Sequence, residues 1–162
     1  MTAATAEDTV LRLERLIPVS PERVFALWSE PAQLVKWFGP DGYSIPSHAL
    51  DIRPGGKWRI TMRSPEGGTH TVSGVYRVID PPRKIVFTWA WDDDKGTRGH
   101  ETEVTVTFAA APGGTRLTFV QQHFETAETR DRHRGGWTSS LDCLERFHTN
   151  IVTTAGGRHG QT

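Results

Sequence analysis

The pattern of apolar and polar positions in the N-terminal part of the chain predicts one strand and two short helices. Apolar and polar side chains alternate from about Val10 to Ile17, which is typical of a half-buried strand. Ser20-Pro21-Glu22 then indicates a helix start, because serine caps free amides, proline tolerates the first helical position and an acid suits the helix dipole. Glu30-Pro31 interrupts the helical spacing and begins a second helix, which Gly39-Pro40 ends.

The middle of the chain, from Ile45 to His123, has the pattern of a β-meander. Five turn signals rich in Gly, Pro and Asp divide it, at residues 54–56, 65–68, 80–82, 92–96 and 112–114. Between the turns apolar side chains occupy alternate positions, as in Trp58, Ile60 and Met62. Connections this short join antiparallel neighbours, since parallel strands need a long crossover. This stretch therefore predicts six further strands in one antiparallel sheet.

Helical spacing returns after Thr126. One apolar stripe, widened at its edges, contains Trp137, Leu141, Cys143, Leu144, Phe147, His148 and Ile151. We expect this long helix to lie on the sheet. Residues 1–8 and 153–162 are small and polar, so we expect disordered ends on a single domain that covers residues 9–152.

Composition narrows the classes of partner. A chain of 162 residues with 36% hydrophobic content fits one domain with a sizeable core. Its 19 basic and 19 acidic side chains give a formal charge of +0, so no global field attracts nucleic acid or an anionic membrane. The single cysteine, Cys143, excludes an intrachain disulfide, and no stretch has the ~20 apolar residues of a membrane span. Since residues 1–8 also lack an apolar run, we expect a cytoplasmic protein.

Four stretches carry a resemblance to a known family. They lie at residues 19–25 with 37–40, at 51–59, at 74–89 and at 136–145, and read VSPERVF with WFGP, DIRPGGKWR, GVYRVIDPPRKIVFTW and GWTSSLDCLE. With these motifs the sequence resembles the AHSA-type proteins, the bacterial branch related to the C-terminal domain of the activator of the ninety-kilodalton heat-shock ATPase. The resemblance spans roughly residues 10 to 150.

The resemblance also implies a fold. AHSA-type proteins lie within the START-like (SRPBCC) superfamily, which includes polyketide cyclases, lipid-transfer domains and the birch-pollen allergen. The implied fold is the α+β helix-grip fold: a seven-stranded curved antiparallel sheet around a long C-terminal helix over a deep cavity, with two short helices after strand one. One scaffold in this superfamily hosts binding, transfer and catalysis, so the site has to be argued from its residues.

Strand parity predicts which side chains share the interior. Side chains two apart on a strand share a face, so the face with Val104 and Phe108 would also contain His100. An uninterrupted last strand would aim Gln121 and His123 at the same interior. We predict an aromatic-lined ligand pocket formed by Trp58, Met62, Tyr76, Trp89, Trp91, His100, Phe119, Gln121, His123, Trp137 and Leu141. The alternative is that these aromatic side chains simply fill the core.

Three functions remain open at this point. The first is a binding or carrier module for a hydrophobic or aromatic small molecule. The second is a cyclase, aromatase or hydrolase-like enzyme in which at least two of His100, His123 and Arg15 converge on one bound carbonyl. Arg15 suits an anionic ligand or a buried carboxylate equally well, and we assign no catalytic residue. The third is a chaperone-interacting domain, which only the family resemblance suggests.

Metal and cofactor patterns are absent from the sequence. His100-Glu101-Thr102-Glu103 resembles a ligand string, but its odd spacing sends the first and last residues to opposite faces of a strand. His48 and His70 have no companion at ligand-like spacing, and Gly55-Gly56 lies in a turn without the lysine and helix of a nucleotide loop. We therefore expect no metal, cofactor, nucleic acid or membrane partner, while a homodimer through exposed aromatic side chains stays open.

The start of the long helix allows two interpretations. Residues 126–134 mix charges at close spacing, which is typical of a solvated helix turn or loop, and we assign no ligand to them. Gly135-Gly136 favours a bend or a close approach of the helix to the sheet. The alternative is a cavity mouth at these glycines.

Overall fold

The computed structural model describes the backbone of residues 9–161 and the side chains of residues 9–147. The predicted disorder of residues 1–8 lies outside the described residues, and so do the side chains of His148 and Ile151. The domain limits of 9–152 and the flexible tail at 153–162 stay predictions.

Seven strands and three helices follow one another in the described part of the chain. In order they are β1 (Val10–Ile17), α1 (Pro21–Ser29), α2 (Pro31–Trp37), β2 (Ser44–Leu50), β3 (Lys57–Arg63), β4 (Thr69–Asp80), β5 (Lys84–Trp91), β6 (Thr102–Ala111), β7 (Gly114–Gln122) and α3 (Ala127–Gln161). The strands form one antiparallel sheet in the order β1-β7-β6-β5-β4-β3-β2. The predicted helix-grip fold, a seven-stranded curved sheet with a long C-terminal helix, is confirmed.

The two short helices hold each other as one unit. The Ser20 side chain caps α1 by accepting a hydrogen bond from the amide of Arg23 (3.4 Å), as the sequence predicts. The Trp37 indole donates to the Leu27 carbonyl oxygen (2.9 Å), and its ring centre lies 4.7 Å from that of Trp28. Because β1 and β2 lie at opposite edges of the sheet, this unit carries the chain from one edge to the other.

The long helix α3 buries its apolar stripe against the sheet. Trp137, Leu141 and Leu144 are all buried, as predicted. The Trp137 ring lies 4.4 Å from that of Phe119 on β7, measured between ring centres. Phe38, which follows α2, meets the same indole edge-on at 5.8 Å. Trp137 is therefore the side chain at which helix α3, the sheet and the short-helix unit meet.

Strand β4 approaches β5 so closely at Gly74 that no side chain fits there. A Cβ on Gly74 would overlap the Thr88 carbonyl oxygen and lie 2.7 Å from Trp58 Nε1. That carbonyl oxygen accepts a hydrogen bond from the Trp58 indole (3.1 Å), and the Thr88 hydroxyl accepts one from the Val75 amide (2.8 Å). The pairing register shifts just beyond, after Tyr76, and such a bulge bends a sheet.

We expect Gly74→Ala to lower the free energy of unfolding by more than about 2 kcal/mol, because the new methyl group displaces the Thr88 carbonyl from Trp58. Gly135→Ala is the matched control, since nothing lies within 4 Å of a Cβ at Gly135. It should be neutral or stabilising by up to about 1 kcal/mol, because alanine favours the helix. Urea unfolding followed by circular dichroism measures both. Native-like stability of Gly74→Ala would contradict the close approach.

Candidate functional site

A cleft of about 510 Å³, here called the α3 cleft, lies between the sheet and the first half of α3. Its walls come from three parts of the chain: the segment after α2, the sheet strands β3 to β5, and α3. The lining residues are Phe38, Gly39, Pro40, Tyr43, Met62, His70, Trp89, Trp91, Asp92, Thr129, Arg132, His133, Gly136, Trp137 and Ser140. The three indoles make the cleft predominantly aromatic.

Four residues of the predicted pocket line the α3 cleft: Met62, Trp89, Trp91 and Trp137. The rings of the three tryptophans form a connected cluster. The ring centres of Trp89 and Trp137 are 5.0 Å apart, and those of Trp89 and Trp91 are 5.4 Å apart in an edge-to-face arrangement. Trp89 is therefore the centre of the aromatic wall.

Five other residues of the predicted pocket lie outside the α3 cleft. Trp58 and Tyr76 surround a separate void of only about 10 Å³, which is too small for a ligand. Phe119, Gln121 and Leu141 are fully buried in the core. Trp58, Tyr76 and Phe119 thus fit the alternative that the aromatic side chains fill the core.

The prediction that His100 and His123 point inward is wrong. Both residues are exposed. Strand β6 begins only at Thr102 and β7 ends at Gln122, so strand parity does not extend to either histidine. The backbone of His123 has left the strand, with φ at 76°, and the His100 ring contacts the His123 carbonyl oxygen. His100 borders a smaller pocket of about 190 Å³, which shares Trp89, Trp91, Thr129 and His133 with the α3 cleft.

Arg15 faces a carboxylate. Its guanidinium donates to Asp142 on α3 (2.7 Å) and to the Thr138 carbonyl oxygen (3.4 Å), outside the α3 cleft. The enzyme hypothesis required two of Arg15, His100 and His123 to converge on one atom. The structure does not bring these three groups together in the cleft.

A chain of buried hydrogen bonds fixes the Trp137 indole. Trp137 Nε1 donates to Gln121 Oε1 (2.9 Å), and Gln121 Nε2 donates to the Thr102 hydroxyl (2.8 Å). The Thr102 hydroxyl in turn donates to the Trp89 carbonyl oxygen (3.2 Å). Since Gln121 is 0% exposed, the loss of any one partner would leave a buried polar group unpaired. Gln121 therefore holds the Trp137 indole, which forms part of the cleft wall, from the core side.

His133 is a cleft residue that the sequence analysis missed. The Trp91 indole donates to His133 Nε2 (2.9 Å), so this nitrogen must carry a lone pair. His133 Nδ1 then donates to the Thr129 carbonyl oxygen (2.8 Å), one helical turn earlier. Burial lowers the pKa of His133 from its usual 6.5, which favours this neutral form.

Residues 127–134 form the first turns of α3 and none of them is buried, which agrees with the solvated helix turn expected for residues 126–134. No ligand contact was predicted for this segment, yet Thr129, Arg132 and His133 line the α3 cleft. The signal that could have found the site is helical spacing: Thr129, His133, Gly136 and Ser140 follow one another at intervals of three or four residues on the cleft side.

The two glycines of α3 differ in their surroundings. A Cβ on Gly135 would meet nothing within 4 Å, whereas Gly136 lines the cleft and a Cβ there would lie 4.0 Å from Pro40 Cγ. The missing side chain at Gly136 therefore leaves room in the cleft. This supports the cavity-mouth interpretation of the glycine pair.

The mouth of the cleft carries both signs of charge. Asp92 and Arg132 both line it, and no ion pair joins them among the described residues. The described part of the chain contains no group of three or more His, Cys, Asp or Glu side chains that could hold a metal ion. Cys143 lies outside the α3 cleft, where burial raises the pKa of its thiol. No helix among the described residues combines the length and apolarity needed to cross a membrane.

Comparison with known proteins gives a consistent set of relatives. The family model described as Activator of Hsp90 ATPase homolog 1-like protein matches residues 18–149. The chain is similar to the crystal structure of an AHSA1 protein from Silicibacter pomeroyi, with 38% identity, a TM-score of 0.82, and coverage of 88% of this chain and 99% of that one. A protein from Rhizobium leguminosarum is 30% identical over 85% of this chain and 92% of its own, with a TM-score of 0.73.

A third solved structure, a protein from Chromobacterium violaceum, is 28% identical over 85% of this chain and 95% of its own, with a TM-score of 0.77. None of the curated proteins matches the chain. The relatives thus cover nearly the whole fold.

The neutral state of His133 predicts a pH dependence of stability. Because its pKa is lower in the folded than in the unfolded chain, the unfolded chain binds the proton more readily. The stabilising contribution is therefore fully present above about pH 6.5 and is lost as the pH falls through the lowered pKa. We expect the native protein to lose more stability between pH 7.5 and pH 5 than His133→Gln, which accepts a hydrogen bond without titrating.

Urea unfolding at several pH values measures this difference. His48→Gln is the control, since His48 is exposed on β2 and lies outside the cleft; it should keep the native pH dependence. Parallel stability curves for the native protein and His133→Gln would contradict the assignment of the neutral form.

Proposed function

This chain belongs to the family of Activator of Hsp90 ATPase homolog 1-like proteins, and from that premise we propose that it is a binding or carrier module for a hydrophobic or aromatic small molecule. Family membership by itself supports a ligand-binding or chaperone-related domain in general. The observation that carries the proposal is the α3 cleft, because it combines a volume of about 510 Å³ with three indole walls.

The size of the cleft suits a small molecule. Ligand pockets are usually clefts of ~300–1,000 Å³ lined by apolar and aromatic side chains with a few polar groups. The α3 cleft has this volume and this lining, with His133, Arg132 and Asp92 as polar members. A two- or three-ring aromatic compound or a short acyl chain is the class of ligand that fits.

The aromatic walls are held before a ligand arrives. Gln121 fixes the Trp137 indole and His133 fixes the Trp91 indole, each through a hydrogen bond of 2.9 Å. Side chains that are already ordered lose little conformational entropy on binding, which raises affinity. The cleft therefore supports binding without a large rearrangement of its walls.

Buried area sets the expected affinity. A ligand that buries about 250 Å² of apolar surface gains about 6 kcal/mol at ~25 cal/mol per Å². That free energy corresponds to a Kd of roughly tens of micromolar before the costs of ordering the ligand. Because those costs weaken binding, we expect dissociation constants from roughly tens of micromolar to about a millimolar for a good ligand.

Titration with fatty acids, flavonoids and aromatic polyketides should quench tryptophan fluorescence saturably for at least one class, since three tryptophans line the cleft. Gly136→Met should weaken that binding at least about 10-fold, because the new side chain occupies the cleft. Mass spectrometry of a denatured extract would identify any molecule that co-purifies.

Gly135→Met provides the matched control for the cleft-filling variant. It makes the same change at the neighbouring position of α3, where a Cβ meets nothing within 4 Å and which does not line the cleft, so its affinity should equal that of the native protein. Equal affinity of Gly136→Met and the native protein, or no quenching by any class, would contradict the proposal.

A further inference from the structure

The polar atoms of the α3 cleft differ in what they bind and in whether a ligand can reach them. The Trp91 N–H and both ring nitrogens of His133 are used in hydrogen bonds within the protein, and so is the Trp137 N–H. The N–H of Trp89 has no partner, but it is enclosed in the interior and lies out of a ligand's reach. None of these nitrogen atoms therefore offers a ligand a hydrogen-bonding group that is both free and accessible.

Ser140 on α3 combines burial with an unused hydroxyl group. The residue is only 4% exposed, and its hydroxyl forms no hydrogen bond with any other described residue. Its oxygen is nevertheless not enclosed, because the side-chain polar atoms that are both enclosed and unpaired in the described part of the chain belong to Trp28, Gln33 and Trp89. The small surface that Ser140 keeps therefore includes its hydroxyl oxygen.

The helical stripe of α3 places this hydroxyl on the cleft side of the helix. Ser140 follows His133 and Gly136 at intervals of three and four residues, so the three share one face of α3. All three line the α3 cleft, and Ser140 borders neither the void of about 10 Å³ nor the pockets of about 190 and 280 Å³. The α3 cleft is therefore the place from which a molecule reaches the Ser140 hydroxyl.

The cost of covering this hydroxyl depends on the ligand. A wholly apolar molecule leaves it buried and unpaired, which costs more than a hydrogen bond normally contributes. A molecule with an oxygen atom at this position pairs it, since a serine hydroxyl both donates and accepts. Tyr43, Asp92 and Arg132 also line the cleft, but they are half-buried or exposed, so solvent can pair their polar groups beside a ligand. Discrimination between polar and apolar ligands therefore falls to Ser140.

We propose that Ser140 determines the ligand class of the α3 cleft: an aromatic molecule that carries an oxygen atom, as in an aryl ketone or a phenol, hydrogen-bonded to the Ser140 hydroxyl. The inference rests on the proposed function, because it specifies the ligand of the same cleft. The indoles provide the apolar contact with the rings of the ligand, and Ser140 fixes the orientation of those rings along α3. Aromatic hydrocarbons of the same shape are the class that the cleft selects against.

A pair of probes of nearly equal shape tests the inference. 2-Acetylnaphthalene carries a carbonyl oxygen, and 2-ethylnaphthalene has a methylene group in its place. Isothermal titration calorimetry of the native protein and of Ser140→Ala gives, for each protein, the ratio of the two dissociation constants, hydrocarbon over ketone. This ratio should be at least about 5-fold lower in Ser140→Ala, because the variant removes both the hydrogen bond to the ketone and the unpaired hydroxyl under the hydrocarbon.

The hydrocarbon provides a signature that a merely structural role of Ser140 would not produce. 2-Ethylnaphthalene should bind Ser140→Ala more tightly than it binds the native protein, because its complex no longer contains an unpaired hydroxyl. The ketone should bind Ser140→Ala less tightly, because it loses its partner. The variant should fold, since alanine favours a helix and the hydroxyl has no hydrogen bond to another described residue to lose.

Ser139→Ala is the matched control variant. It makes the same change at the preceding position, but the Ser139 hydroxyl already accepts a hydrogen bond from the Asp41 amide (2.8 Å) and does not line the cleft. Both probes should change affinity to the same extent in this variant, so their ratio should equal that of the native protein. A ratio that falls equally in Ser139→Ala and Ser140→Ala would overturn the assignment to Ser140.

The remaining outcomes separate this inference from the proposed function. A ratio that stays unchanged in Ser140→Ala would overturn the inference while leaving the binding function intact. The same holds if neither probe binds although another class of the wider ligand panel does. Failure of both probes, together with failure of the whole panel, would instead refute the proposed function.

Discussion

The buried hydrogen-bond chain from Trp137 through Gln121 and Thr102 to the Trp89 carbonyl is the constraint on which the site depends. It joins α3 to β7, β6 and β5 in the interior, where water cannot replace a lost partner. Apolar packing alone would let the helix slide along the sheet, since the hydrophobic effect is non-directional. The polar chain fixes one position of α3 and thereby the height of the cleft.

The cleft exists because its neighbours are too stiff or too small to fill it. Fused aromatic rings do not deform, and the indoles of Trp89 and Trp137 are held at a separation of 5.0 Å between ring centres. Gly39 and Gly136 also line the cleft and have no side chains to fill it. A closely packed interior leaves space only where such shapes cannot interlock. Asp92, Arg132 and His133 also line the cleft, so it is aromatic without being wholly apolar.

Much of the architecture follows from the sequence alone. Alternating and helical spacing predicts the strands, the two short helices and α3, and the turn signals limit the strands to antiparallel neighbours. The inward direction predicted for Met62, Trp89, Trp91 and Trp137 agrees with their position in the lining of the α3 cleft, and all four lie inside regular elements. Within such an element the direction of each side chain is set by its immediate neighbours in the chain, because the backbone repeats.

Only the tertiary structure decided the polar contacts of the site. Hydrogen-bond partners that lie far apart in the sequence leave no local pattern from which they could be predicted. Arg15 meets a carboxylate 127 residues away, and Trp91 donates to His133 across 42 residues. The inward prediction for His100 and His123 failed where the strands end and the repeat stops. The unpaired N–H of Trp89 is likewise invisible in the sequence, since six tryptophans look alike until their acceptors are known. Sequence determines the periodic elements and their faces; the packing of those elements determines which polar groups are paired and which side chains line the cleft.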